Sequence, residues 1–165
     1  AIGARYLQAN GWAQKILIID LDVHQGNGTA EIFQNDDSVF TFSMHGEGNY
    51  PFKKEVSDLD ISLKKGTEDQ EYLGLLKETL PHLLETVKPD FIFYLSGVDV
   101  LESDKLGTLS LTLQGCKERD EFVLNTCHEH HIPVQCSMGG GYSPDIKVIV
   151  EAHANTYRLA QKIYF

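Results

Sequence analysis

Two aspartates and a histidine stand at alternate positions in Ile16-Leu17-Ile18-Ile19-Asp20-Leu21-Asp22-Val23-His24. Side chains of an extended chain alternate between faces, so Asp20, Asp22 and His24 share one side and Leu21 and Val23 the other. Crowding two carboxylates and an imidazole into a dry site is costly unless something cationic sits among them. A divalent metal ion meets that need. Read alone, the pattern fits equally well two aspartates that hydrogen-bond a following loop, with His24 a satisfied loop histidine.

Other stretches bring matching chemistry to the ends of apolar runs. His45 follows Ser38–Met44, Asp99 follows Phe91–Leu95 and Ser96-Gly97-Val98, and Tyr142 follows Pro133–Met138 and three glycines. Asp22, His24 and Asp99, with no fourth protein ligand in view, would leave one coordination position open, the pattern of a catalytic rather than a structural divalent site. Zinc suits such a mixed nitrogen and oxygen set, and iron, cobalt or manganese are tolerated by it. A bound divalent ion can lower the pKa of water from near 16 to about 7, which points to hydrolysis. The Tyr142 phenol could then stabilise an oxyanion, with Gly139–Gly141 allowing close backbone approach and a mobile hinge. Without Asp22, His24 and Asp99, the same glycines read as a tight strand-to-helix turn or an anion nest. His128-Glu129-His130-His131 lacks the spacing of a helical zinc motif and reads as a helix C-terminus, where the dipole favours histidine. His82 and His153 fall in helical patterns and read as surface or packing residues.

The elements that must position these groups alternate in type. Strands are expected at Lys15–Val23, Ser38–Met44, Phe91–Leu95 and Pro133–Met138, with a short extended piece at Leu59–Leu63. Helical patterns fall at Ile2–Asn10, stopped by Gly11, at a short segment capped by Thr29 and running through Phe33, and at a long run opened by Thr67-Glu68-Asp69-Gln70. Pro81 should kink or divide that long run. Two more helices are expected, from Thr112 to about His131 and from Asp145 to Tyr164. The alternation predicts an α/β fold: a three-layer, doubly wound, mainly parallel sheet with helices on both faces and its site outside the C-terminal strand ends.

At 165 residues the chain can build one domain with a sizeable core. A formal net charge of -10 argues against binding nucleic acid through phosphates and fits a small molecule, a cationic partner such as a basic peptide or polyamine, or an acidic solubilising surface. No apolar run approaches the roughly 20 residues of a membrane span, and the N-terminus lacks a signal-peptide pattern, so a cytoplasmic location is expected. Cys116, Cys127 and Cys136 form no C-x-x-C pair and read as buried, reduced thiols. The chain opens at Ala1 inside a helical stretch, as a fragment of a longer domain would.

Taken in order, Asp20-Leu21-Asp22-Val23-His24-Gln25-Gly26-Asn27-Gly28, Ser43-Met44-His45, Gly97-Val98-Asp99 with Asp104, and Gly139-Gly140-Gly141-Tyr142 resemble the signatures of the zinc-dependent histone deacetylase superfamily. Gly66-Thr67-Glu68-Asp69 with Glu71-Tyr72-Leu73, and Leu101-Glu102-Ser103-Asp104-Lys105-Leu106-Gly107, resemble its class IV branch, which includes bacterial homologues. The resemblance implies an arginase/deacetylase-like fold, Asp22, His24 and Asp99 as zinc ligands, and Tyr142 as the residue polarising the scissile carbonyl. It also implies a structural potassium ion near Asp20, Asp22, the His24 carbonyl, Ser43 and Met44, and an acyl-lysine channel walled by Tyr50 and Gly140.

Asn27 stands where class I members carry an aspartate that orients a histidine, as in class IV. The tandem histidines that act as general base in the family have no counterpart here, so residues 1–165 are expected to be the C-terminal portion of a single deacetylase domain, completed by an upstream portion. The implied activity is removal of acetyl or acyl groups from lysine side chains or small amines, weak or absent in this segment alone. Two other readings stand beside it. One is a non-catalytic, metal-stabilised interaction module or degenerate homologue. The other is an arginase-type ureohydrolase, for which Gln25-Gly26 lacks the extra ligands of a two-metal site.

Overall fold

A computed structural model describes all 165 residues. Five strands form one sheet: β1 (Ile16–Asp20), β2 (Val39–Gly46), β3 (Leu59–Leu63), β4 (Phe91–Ser96) and β5 (Val134–Met138). Their order is β3-β2-β1-β4-β5 and every neighbouring pair is parallel. The helices are α1 (Ile2–Ala9), α2 (Asn27–Phe33), α3 (Asp69–Val87), α4 (Leu113–Glu129) and α5 (Ile146–Tyr164). This is the doubly wound α/β arrangement expected from the alternation of patterns.

The period-2 geometry of the central strands divides the core. Leu17, Ile19 and Leu21 of β1 and its continuation, with Phe42, Met44, Ile92 and Tyr94, pack against α3, α4 and α5. Ile16, Ile18 and Val39 face the other way and meet Ala4 of α1 and Phe33 of α2. Burying a leucine completely contributes about 1.5–3 kcal/mol, and the thicker layer holds most such residues. The second face is thinly covered: Phe93 and Leu95 are only half-buried, and Ile2 and Ile32 are exposed. A groove lined by Ile2, Ile18, Ile32, Phe93 and Leu95 runs across it. β5 pairs with β4 on one side only and leaves its other backbone edge free.

Several local expectations are corrected. The first strand stops at Asp20, because the Asp22 amide donates to Asp20 Oδ1 at 3.2 Å and the His24 amide to Asp22 Oδ1 at 2.9 Å, bending the chain. Thr29 does not cap α2: Gly26 holds that position, and the Thr29 hydroxyl donates back to its carbonyl at 2.8 Å. Thr67 likewise bonds the Lys64 carbonyl, and α3 starts after Glu68 without a side-chain cap, aided by Asp69 and Glu71 in its first turn. Pro81 neither divides nor ends α3. It is half-exposed, one turn from exposed Lys77, while Tyr72, Leu76, Leu80, Leu83 and Leu84 keep the apolar stripe on the core. Thr112 does cap α4, accepting from the Gly115 amide at 2.9 Å, and Asp145 caps α5. Cys116 and Cys127 are buried and Cys136 is half-buried; all three are free thiols. No helix is long and apolar enough to cross a membrane.

Candidate metal centre

Strand order sets the place of the site. From β1 the chain moves through α2 to β2 on one side, and α3 later carries it back to β4 on the other side. The loops leaving β1 and β4 therefore diverge, opening a crevice at their C-terminal ends, where parallel sheets bind ligands. Asp22 and His24 follow β1, and Asp99 follows β4. One ligand-type atom from each of the three lies within 4.8 Å of the others.

The convergence comes from bends rather than from strand alternation. His24 Nδ1 is 2.9 Å from Asp22 Oδ1 and 3.3 Å from Asp99 Oδ2. The Val23 amide donates to Asp99 Oδ1 at 2.9 Å, tying the two loops together across 76 positions of sequence. Asp99 Oδ2 is buried and has no hydrogen-bond donor. Buried carboxylate oxygens are rarely left so, and a cation is the partner this one lacks. One nitrogen and two carboxylate donors, one of them orphaned, fit a divalent metal.

The electrostatics carry the same message. The hydrogen bond to Asp22, with the Asp99 carboxylate close by, pushes the His24 imidazole up to about 10. Burial pushes the Asp22 carboxyl up, but hydrogen bonds from the His24 ring and the Gly140 amide outweigh it and hold it at about 2. Asp99 is raised by its burial and by the charge of Asp22, against the pull of His24. Asp20 lies just behind, 5% exposed, opposite Ser43 in the sheet register, and burial together with the Asp22 charge pushes it up to about 8. Ser43 Oγ accepts from the Gly26 amide at 3.3 Å and lies 3.0 Å from His45 Nδ1, and Met44 is fully buried beside them.

The glycine loop after β5 closes the other side. Gly140 donates its amide to Asp22 Oδ2 at 2.8 Å and accepts from the Val98 amide at 2.8 Å. A Cβ on Gly140 would collide with Asp99 Oδ2, and one on Gly139 would come within 2.7 Å of Asp22 Oδ2, so only glycine lets this backbone pass. The Tyr142 amide donates to Asp104 Oδ2 at 2.6 Å, and Ser143 meets Ser103 at 2.8 Å. The expected mobile hinge is thus a pinned loop, held on both sides of Gly141, with the Tyr142 ring half-exposed at its rim.

Tyr50 sits in the loop after β2, which Asn49 ties to the Leu106 carbonyl and to Thr108 at the same end of the sheet. Its ring is 61% exposed and meets Phe52 edge-on. The structure brings Asp22, His24, Asp99 and Gly140 together and leaves Tyr50 on an outer loop. His128, His130 and His131 lie at the far end of α4, with His130 Nδ1 2.9 Å from the Thr126 carbonyl, away from the triad.

Sequence reading missed Arg119 and Asp120, both fully buried in α4 directly beneath the crevice. Their signal was present: Cys116, Asp120, Val123 and Cys127 recur at helical spacing, which puts a charged pair on the buried stripe.

Residues 1–157 match the histone deacetylase domain family, and the chain belongs to it. An uncharacterized protein of Picosynechococcus sp. is 49% identical over 164 residues, covering 99% of this chain and 55% of that protein. Histone deacetylase 2 of Arabidopsis thaliana is 33% identical over 148 residues, 87% of this chain and 38% of its own. Among solved structures, the HDA15 HD domain superposes with a TM-score of 0.79 at 26% identity, over 97% of this chain and 49% of that domain. The chain thus spans about half the length, or less, of the relatives it matches.

Proposed function

We propose that this chain forms the metal-holding and carbonyl-polarising part of a zinc-dependent amide hydrolase that removes acetyl or longer acyl groups from lysine side chains or small amines. The observation that carries the reading is the orphaned Asp99 Oδ2 beside His24 and Asp22, in a member of the histone deacetylase family. Asp22, His24 and Asp99 would hold the ion, which supplies Lewis acidity and activates water. Asp22 and Asp99 are in turn oriented by the Gly140 and Val23 amides. Tyr142, on the rim of the pinned loop, would donate its hydroxyl proton to the carbonyl oxygen as charge develops there. Tyr50 and Gly140 would flank the entering acyl-lysine. Asp20, Asp22, the His24 carbonyl, Ser43 and Met44 would hold potassium, whose charge offsets the penalty that burial places on Asp20. The motif versions favour the class IV branch, and a cytoplasmic location goes with this reading.

The triad includes one of the chain's seven histidines, and no other histidine joins it. General-base catalysis is worth about 100- to 10,000-fold, so we infer that this chain alone hydrolyses weakly or not at all. Residues of the upstream half-domain would supply the base, packing on the thinly covered face of Phe93 and Leu95.

Metal content by elemental analysis, paired with an acetyl-lysine peptide assay, tests the reading on this chain and on a form extended upstream to the relatives' length. One zinc per chain in both forms, with turnover in the longer one, is the expected result. Absence of metal from both would replace the hydrolase with an interaction module.

A further inference from the structure

Resting on the reading of Asp22, His24 and Asp99 as metal ligands, we propose that Arg119 is a positioning residue for them: its guanidinium joins the carbonyls of Leu21 and Gly97 and so sets the spacing of the two strand tips that carry the ligands.

Ladder pairing between β1 and β4 ends just before the site. The last rung is the Leu21 amide donating to the Leu95 carbonyl at 3.1 Å. Beyond it both chains bend away, and the carbonyls of Leu21 and Gly97 lose the strand partners they would otherwise have. Arg119 Nη1 takes that place, donating to Leu21 O at 3.1 Å and to Gly97 O at 2.7 Å. Asp22 follows Leu21 by one residue, and Asp99 follows Gly97 by two. A single nitrogen therefore spans the crevice floor immediately beneath the triad.

The guanidinium is itself held in one orientation. Its Nε donates to Asp120 Oδ1 at 2.8 Å, and Nη2 lies 2.8 Å from the same oxygen. Asp120 Oδ1 also accepts from the Tyr94 hydroxyl of β4 at 2.5 Å, and Oδ2 accepts from Thr156 Oγ1 of α5 at 2.6 Å. Arg119 and Asp120 are both 0% exposed. A buried ion pair adds little net stability over apolar packing of the same volume, so stability does not account for it. A planar fork that holds two carbonyls on one nitrogen while its other edge is locked to a carboxylate does account for it, and a lysine cannot reproduce that geometry.

The test is zinc and cobalt(II) binding by the full chain, comparing the parent with Arg119→Lys and Tyr94→Phe, each checked for folding by circular dichroism and thermal unfolding. Removing outer-shell support for metal ligands costs on the order of 10- to 100-fold in metal affinity. That loss is expected for folded Arg119→Lys, together with a cobalt visible spectrum altered in position or intensity. A purely structural role would lower the unfolding temperature and leave affinity and spectrum unchanged in the folded protein; that result overturns the proposal. Should Arg119→Lys fail to fold, Tyr94→Phe decides the matter, because it removes a donor to the Asp120 oxygen that orients Arg119 and so frees the guanidinium to shift: a weaker metal complex with a shifted spectrum supports positioning, and parental values overturn it. No metal uptake by the parent would overturn the triad reading itself, a result distinct from either of these.

Discussion

Asp104 Oδ2 accepts the Tyr142 backbone amide at 2.6 Å, while its other oxygen accepts the amides of Leu106 and Gly107, each at 2.8 Å. One carboxylate on the loop after β4 thus governs the loop after β5, and with it the place of the phenol. Asp104→Ala removes all three acceptor contacts. We expect a loss of about 1–3 kcal/mol in stability, read from urea denaturation. Zinc content should be retained, and turnover by the longer form should fall because Tyr142 is no longer fixed.

Ligand and polarising roles separate by metal content. Asp99→Ala should abolish metal uptake, since it removes the orphaned oxygen from a three-residue set. Tyr142→Phe should keep the metal and lower kcat of the longer form by about 100- to 1,000-fold, the usual effect of deleting an oxyanion donor. Metal bound by Asp99→Ala as tightly as by the parent would refute the ligand assignment.

Gly140→Ala tests the close approach of the loop to the triad. The added methyl group meets Asp99 Oδ2 and comes within 3.2 Å of Asp22 Oδ2. The loop must then retreat and give up the Gly140 amide bond to Asp22. Loss of metal binding and a lowered unfolding midpoint are expected, with the far-ultraviolet circular dichroism preserved. Gly48, which has open space around its Cβ position, is the control: Gly48→Ala should bind metal as the parent does.

Protonation of His153 should make stability fall in mild acid. This α5 residue is 8% exposed, and its Nδ1 has no hydrogen-bond partner. Burial, reinforced by the Arg119 charge and opposed by Asp120, lowers its pKa below the ordinary 6.5. The unfolded chain therefore takes up the proton first. The stabilising contribution is complete above about pH 6.5 and is lost as pH falls from there through the lowered folded value. Urea midpoints measured between pH 5 and 7.5 should drop less steeply for His153→Gln than for the parent. Parallel curves would show that His153 is not a contributor.

Much of this was legible in the residues. Unbroken apolar runs such as Ile16–Ile19 and Phe91–Leu95, short and bounded by polar or turn residues, read as strands, and their order with the intervening helices gives a parallel sheet. The ends of those runs carry Asp22, His24 and Asp99, which the fold brings together. What spacing could not convey was the manner of convergence. The alternation that would align Asp20, Asp22 and His24 gives way to two aspartate-led bends, because short side chains capture nearby amides. Capping failed for the same kind of reason: Thr29 and Thr67 spend their hydroxyls on local carbonyls. Arg119 stayed hidden because its partners, the carbonyls of Leu21 and Gly97, are backbone atoms 98 and 22 positions away, and nothing in their side chains marks them.

The free edge of β5 has a consequence for handling the chain by itself. Val134–Met138 is an edge strand whose outward backbone groups have no strand partner, only the Cys136 carbonyl being met by the Gln135 side chain, and it borders the apolar groove of Phe93 and Leu95. An uncovered strand of this sort templates further strands from other molecules. Colloidal behaviour will therefore depend on protein concentration, and the net charge of -10 becomes the main force keeping copies apart, a force that added salt weakens.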